Sequence, residues 1–134
     1  MIEVHLAVVG AHLSGMPLHH QLASRGARLV KACRTAARYR LYALANTTPP
    51  KPGLVHVGDA AGAAIEVEVW ALSVEAFGSF VAETPPPMAI GTTELDDGTN
   101  VKGFVVEPRA LKDAVDITAF GGWRAYVASV KARD

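Results

Sequence analysis

The sequence predicts an α+β fold: a small, mostly antiparallel β-barrel with flanking helices, in a single domain spanning residues 1–134. Three observations lead there. Half of the 134 residues are hydrophobic and 19% are charged, the balance of a chain that buries one core. About six short segments show strand-like patterning. Most of the intervals between them are too short for the helical crossover that parallel neighbours need, so antiparallel pairing and a curved sheet follow.

The elements read in order as follows. Residues 3–9, EVHLAVV, form a strand that becomes buried toward its end. Pro17 suits the first turn of a helix, where its missing N–H is unpaired anyway. That helix runs to about Arg25 and stops at Gly26, a residue that takes up the left-handed cap at no steric cost. ARLVKAC (27–33) and YRLYALA (39–45) are strands joined by a polar link. The three prolines of NTTPPKPG (46–53) remove donors and exclude regular structure. AIEVEVWAL (64–72) is the clearest strand, with Ile65, Val67 and Val69 on one face and Glu66, Glu68 and Trp70 on the other, solvated one. SVEAFGSFVAE (73–83) sets Val74, Phe77, Phe80 and Val81 at helical spacing behind a serine cap, and TPPP closes it. MAIGTTEL and NVKGFVVE form a hairpin about a DDG turn. Trp123, Tyr126, Val127 and Val130 recur at i, i+3, i+4 and i+7, the pattern of a docked terminal helix.

Thirteen basic residues balance thirteen acidic ones. A chain with zero net charge has no global field to draw in nucleic acid or an anionic membrane, and it lacks the repulsion that keeps copies apart, so a homodimer is compatible with it. The single cysteine, Cys33, excludes an internal disulfide and a cysteine-built zinc site. On an apolar strand face it reads as an inert thiol in a reducing cytoplasm. The uncharged runs fall short of the roughly 20 apolar residues of a membrane span. The opening, with Glu3 and His5, does not resemble a basic leader. A soluble, cytoplasmic protein is expected. No Walker or dinucleotide pattern occurs, so no cofactor is expected.

Three of the five histidines lie in VVGAHLSGMPLHHQL, residues 8–22. Here a strand ends in a Gly–small–Gly turn, Gly10 to Gly15, and passes into a helix. Such a turn leaves backbone N–H groups pointing one way, a nest for a carboxylate or phosphate. Within it His12 has the chemistry of an acid or base near neutral pH, and Ser14 is a donor. The competing reading is that the glycines only shape the turn. His19 and His20 are adjacent, so on a helix they point about 100° apart, and no His-x3-His pair exists. No metal site is expected. Arg40 and Lys51 flank the proline-rich stretch, and Lys102 and Arg124 lie beside glycines. Each reads equally as a counter-charge for an anionic substrate or as a surface charge.

The runs VVGAHLSGMPL, YRLYAL, PPKPGL, IEVEVWAL, FGSFV, PPPMAIGT, VKGF and FGGWRAY, in that order, resemble the C-terminal domain of allophanate hydrolase, which also forms part of urea amidolyase. The resemblance extends from about Val4 to Val127. It implies a γ-glutamyl cyclotransferase-like fold whose loop after the first strand, here Gly10–Gly15, lines the pocket. It also implies a reaction. In that family the amidase half hydrolyses allophanate to ammonia and N-carboxycarbamate, and the C-terminal domain decarboxylates the product with a histidine, matched here by His12. Loss of carbon dioxide requires a proton on the substrate nitrogen, which is work for a general acid.

The two carboxylates of that substrate require donors, expected from the backbone amides of Leu13, Ser14 and Gly15, with Gly10 and Ala11 also in the substrate-binding loop and Lys51 as counter-charge. The expected partners are a small dicarboxylate and an amidase subunit. Where cyclotransferases of this fold carry a tyrosine this chain has Val9, and the nearest match for their acid/base glutamate is Glu83. Two other readings stand beside the decarboxylase: a non-catalytic module that binds an amidase subunit or itself, and a cyclotransferase-like enzyme for another small carboxylate.

Overall fold

The computed structural model describes residues 2–133, and its architecture is organised around β1 (Glu3–Val8). Leu6, Ala7 and Val8 are buried because β1 is the middle member of a five-stranded sheet. The order is β2 (Arg28–Arg34), β5 (Glu66–Ser73), β1, β7 (Asn100–Val106), β6 (Met88–Glu94). β1 pairs antiparallel with β5, from Glu3↔Ser73 to Val8↔Glu68, and parallel with β7 at Leu6↔Lys102 and Ala7↔Gly103. The β6–β7 hairpin has the expected register, Glu94↔Asn100 next to its turn. A second sheet, of order β4 (Pro52–His56), β3 (Tyr39–Ala43), β8 (Val115–Asp116), is antiparallel throughout.

The mixed α+β architecture is therefore as expected, but the sheet does not close into a barrel. The edge strands β2 and β6 approach each other only beyond their ends, at a Thr35↔Leu95 bridge. Two backbone bonds hold it, Ala36 N–H to Glu94 O (2.9 Å) and Asp96 N–H to Arg34 O (3.0 Å). Past that bridge the chain enters the Asp96–Asp97–Gly98 turn on one side and leaves the strand on the other, so no ladder extends.

The expected apolar face of β5 is present: Ile65, Val67 and Val69 sit in the core with Leu6, Leu22, Leu41, Phe80 and Ile117. Its opposite face is not the solvated one predicted. Glu68 and Trp70 are buried, at 6% and 9% exposure, because residues 14–19 and Arg124 lie across them. The helix predicted from Pro17 is likewise shorter. Only α1 (His20–Ala23) is helical, and residues 11–19 form successive turns. Leu18 N–H bonds Ala11 O (2.8 Å) instead of continuing a helix, and Gly15, at φ +83°, supplies the left-handed residue that the fold-back needs. The proline-rich stretch ends earlier than predicted, since β4 begins at Pro52. A proline is tolerated there because it opens an edge strand, where no ladder donor is required.

α2 (Val74–Glu83) starts at the predicted cap, where Ser73 Oγ accepts from Ala76 N–H (3.1 Å), and it buries Phe80. Val74, at its open end, is exposed rather than packed. α3 (Trp123–Arg133) docks by Trp123, 3% exposed, with Tyr126 and Val127 against the core. None of the helices is long and apolar enough to cross a membrane among the described residues.

Candidate functional site

Where β1 ends, the chain turns over the sheet, and Val9, Gly10, Ala11 and His12 become one wall of a cavity of about 230 Å³. The proline-rich stretch forms the facing wall with Thr48, Pro49, Lys51 and Pro52. Gln21 of α1, Glu83 at the end of α2, and Met88 and Phe104 of the hairpin complete it. Gly10 is required at the seam. A Cβ there would overlap the Pro52 ring, so any other residue pushes the two walls apart.

The His12 ring is fixed by apolar contacts and one hydrogen bond. It stacks on Phe104 (centroids 5.2 Å apart, 17° between planes) and meets the Phe80 ring edge-on (5.1 Å, 72°). Its Nε2 lies 2.7 Å from Gln21 Oε1. Burial pushes the imidazole below its ordinary pKa of 6.5; the Gln21 bond opposes that, and the Lys51 charge and the nearby His19 and His20 reinforce it. The resting ring is therefore neutral at pH 7. Gln21 Nε2 donates in turn to Glu83 Oε1 (3.1 Å), and the other Glu83 oxygen pairs with Arg25 Nη2 at 2.6 Å. Lys51 lines the cavity and makes no ion pair among the described residues.

Beneath the loop, a carboxylate of the chain itself occupies the predicted nest. Glu68 accepts from Ser14 N–H (2.8 Å), Ser14 Oγ–H (2.6 Å), Trp70 Nε1–H (3.2 Å) and Arg124 Nη2–H (3.0 Å). Burial alone would raise this carboxyl; the combined donors outweigh it and hold the group below the usual carboxylate range. His19 donates from Nδ1 to His12 O (2.9 Å) and lies against Trp70 (4.8 Å), while His20 donates to Pro17 O (3.0 Å). Of the three clustered histidines, one faces the cavity and two hold the loop.

The structure thus divides the predicted site. Gly10, Ala11, His12 and Lys51 line the cavity; Leu13, Ser14 and Gly15 do not. Leu13 is fully buried with its N–H on Gly10 O, and the Ser14 donors belong to Glu68. The backbone N–H groups of Gly10, Ala11 and His12 have no acceptor among the described residues. Arg40 is drawn away by Asp116 (2.7 Å), and Arg124 by Glu66 and Glu68. Glu83, matched to the cyclotransferase glutamate, does reach the cavity. Gln21 and Arg25 were not anticipated. Their i, i+4 spacing in QLASR, which places the Arg25 guanidinium on Gln21 O (2.8 Å), was the available signal.

Residues 4–128 match the family model of the allophanate hydrolase C-terminal domain. The chain is 42% identical to urea amidolyase of Saccharomyces cerevisiae over 98% of its own length and 7% of that protein's. It superposes on Kluyveromyces lactis allophanate hydrolase with a TM-score of 0.93 and 42% identity, covering 97% of this chain and 22% of that one. A uropathogenic E. coli-specific protein of known structure is 31% identical, with a TM-score of 0.87, and is matched over 98% of its chain. More distant solved neighbours share the γ-glutamyl cyclotransferase-like fold. The chain spans only a small part of the two large enzymes. The chain belongs to the allophanate hydrolase C-terminal domain family.

Proposed function

We propose that this chain decarboxylates N-carboxycarbamate, as one step of allophanate degradation, with His12 as general acid. One arrangement carries the reading: a neutral, half-buried imidazole shares a small cavity with the Lys51 ammonium and the unpaired N–H groups of Gly10, Ala11 and His12. A dianion is what such a cavity binds. Cation and amides receive its carboxylates, while Phe104, Pro52 and Met88 keep the site dry enough for those contacts to matter.

Binding also sets the protonation state. The ring of the free protein is neutral, and a dianion beside it favours the charged form, so the ring takes up a proton as substrate enters. The C–N bond then breaks with its electron pair remaining on nitrogen. His12 gives its proton to that nitrogen, carbon dioxide and carbamate leave, and the ring is reprotonated from water when the next dianion binds. The substrate is supplied by hydrolysis of allophanate on an amidase partner, in keeping with the match of this chain to one domain of allophanate hydrolase. A cytoplasmic setting accords with the free thiol of Cys33.

The cyclotransferase reading has less support, because Arg25 and Gln21 engage both oxygens of Glu83 and reduce its use as a base. The test is carbon dioxide release from amidase-generated N-carboxycarbamate, with wild type compared against His12→Ala and the uncatalysed decay. Wild type is expected to exceed both; equality with the uncatalysed decay refutes the proposal.

A further inference from the structure

The side chains behind His12 form a directed chain of hydrogen bonds, and its direction is fixed at the far end. Glu83 accepts from Arg25 Nη2 at 2.6 Å, and Arg25 is itself held by Ser79 Oγ (3.1 Å) and by Gln21 O. A carboxylate offers only acceptors, so the atom that Gln21 turns toward Glu83 has to be its NH2 group, 3.1 Å away. That leaves the Gln21 oxygen, an acceptor only, 2.7 Å from His12 Nε2. An acceptor at that distance requires a proton on Nε2. In a neutral ring the lone pair then belongs to Nδ1. Nδ1 has no partner among the described residues, and no buried side-chain nitrogen or oxygen among them lacks one, so Nδ1 stays in contact with solvent.

We propose that Gln21, Glu83 and Arg25 are positioning residues that hold neutral His12 in its Nε2–H tautomer, making Nδ1 the nitrogen that accepts a proton from water and passes it to the substrate. The inference rests on the decarboxylase reading for its chemistry but not for its structural content. In the step itself Nδ1 gains a proton as the dianion binds and loses it to the substrate nitrogen as the C–N bond breaks. Nε2 keeps its proton throughout, and the charge on the ring is shared with the Gln21 oxygen. This gives Glu83 a role, exercised through Gln21, across 62 residues of sequence.

The groups that bear on the ring are Lys51, His19 and His20, together with Glu83 through Gln21. The tautomer is readable directly by long-range 1H–15N NMR of histidine-labelled protein, held above pH 7.5 so that the ring is neutral. Wild type is expected to show His12 protonated at Nε2. Glu83→Lys replaces an acceptor by a donor, which turns the Gln21 amide over, presents its NH2 to Nε2 and moves the proton to Nδ1. Gln21→Leu keeps the ring's packing on Phe80 and Phe104 but removes the acceptor; it is expected to lower kcat at least about tenfold, with KM changed less than about threefold.

A His12 found Nδ1-protonated in wild type, or a tautomer unmoved by Glu83→Lys in folded protein, overturns the inference. So does an unchanged kcat in Gln21→Leu. The two proposals fail separately. If the tautomer inverts but wild type releases carbon dioxide no faster than the uncatalysed decay, the relay stands and the decarboxylase reading falls. If wild type is fast and the tautomer does not respond, the reverse holds.

Discussion

Glu68→Gln is the substitution that isolates what holds the site loop in place. The carboxylate is 6% exposed and accepts four hydrogen bonds, two at each oxygen. Glutamine has the same shape but offers one oxygen and one NH2. The Ser14 and Trp70 donors at Oε1 cannot reverse, whereas the Ser14 hydroxyl at Oε2 can rotate to accept, so the NH2 settles at the Oε2 position. There it faces Arg124, a donor, and the 3.0 Å bond is lost. A hydrogen bond to a charged group is worth about 1.5–3 kcal/mol, and the loss of charge from the other three, two kept at the oxygen and one reversed at the Ser14 hydroxyl, costs about 0.5 kcal/mol each.

Arg124 is 36% exposed and keeps Glu66 at 3.1 Å, so solvent and that carboxylate recover part of the loss. The net expectation is a destabilisation of about 3 kcal/mol, or roughly 10 °C in Tm for a domain of this length. Glu66→Gln, at a carboxylate that is half-exposed, should cost less than about 1 kcal/mol. Urea unfolding of both variants at pH 7, with calorimetry as a second probe, measures the difference. If Glu68→Gln costs less than about 0.5 kcal/mol, or no more than Glu66→Gln, the clamp does not anchor the loop.

Three other outcomes follow from the same structure. Gly10→Ala forces a methyl group into the Pro52 ring and is expected to cost about 1–3 kcal/mol while shifting the wall that carries Lys51, measured by thermal unfolding. Lys51→Met should raise KM about tenfold and leave kcat within about threefold if, as proposed, the ammonium binds substrate without taking part in proton transfer. Stability should fall in two stages on acidification. The His12 ring, depressed when folded, lets the unfolded chain bind its proton first below pH 6.5, and Glu68, also depressed, loses its contribution below pH 4.5 as pH falls through its folded value. A Tm series from pH 8 to pH 2 in wild type, His12→Asn and Glu68→Gln separates the stages: His12→Asn lacks the first, and Glu68→Gln shows a smaller second one, the rest of which belongs to the depressed Glu94, Asp97 and Asp116.

Most of the elements were legible because they are local. Alternation marked Ile65, Val67 and Val69 as one buried face, and Ser73 marked the start of α2. What covers the other face of β5 was not legible: alternation tells which residues share a face, not what packs on it, and the partner of Glu68 is 54 residues away. The helix expected from Pro17 failed for a similar reason. Proline allows a helix to begin, but a bond from Leu18 N–H to Ala11 O folds the segment over the sheet instead. The same long-range bonds divided the site. A Gly–small–Gly turn announced a nest and His12 beside it, and the family resemblance pointed to Lys51. The chain then used the Ser14 donors for its own carboxylate and left the cavity to Gly10, Ala11 and His12. Gln21 and Glu83 meet across 62 residues, beyond the reach of any spacing rule.

The measurement that bears most directly on the account is the rate of carbon dioxide release from freshly generated N-carboxycarbamate in the presence of wild type and of folded His12→Asn. General-acid catalysis predicts a saturable acceleration by wild type and its reduction by about a hundredfold or more in His12→Asn, with KM little changed. A His12→Asn rate equal to that of wild type would contradict it.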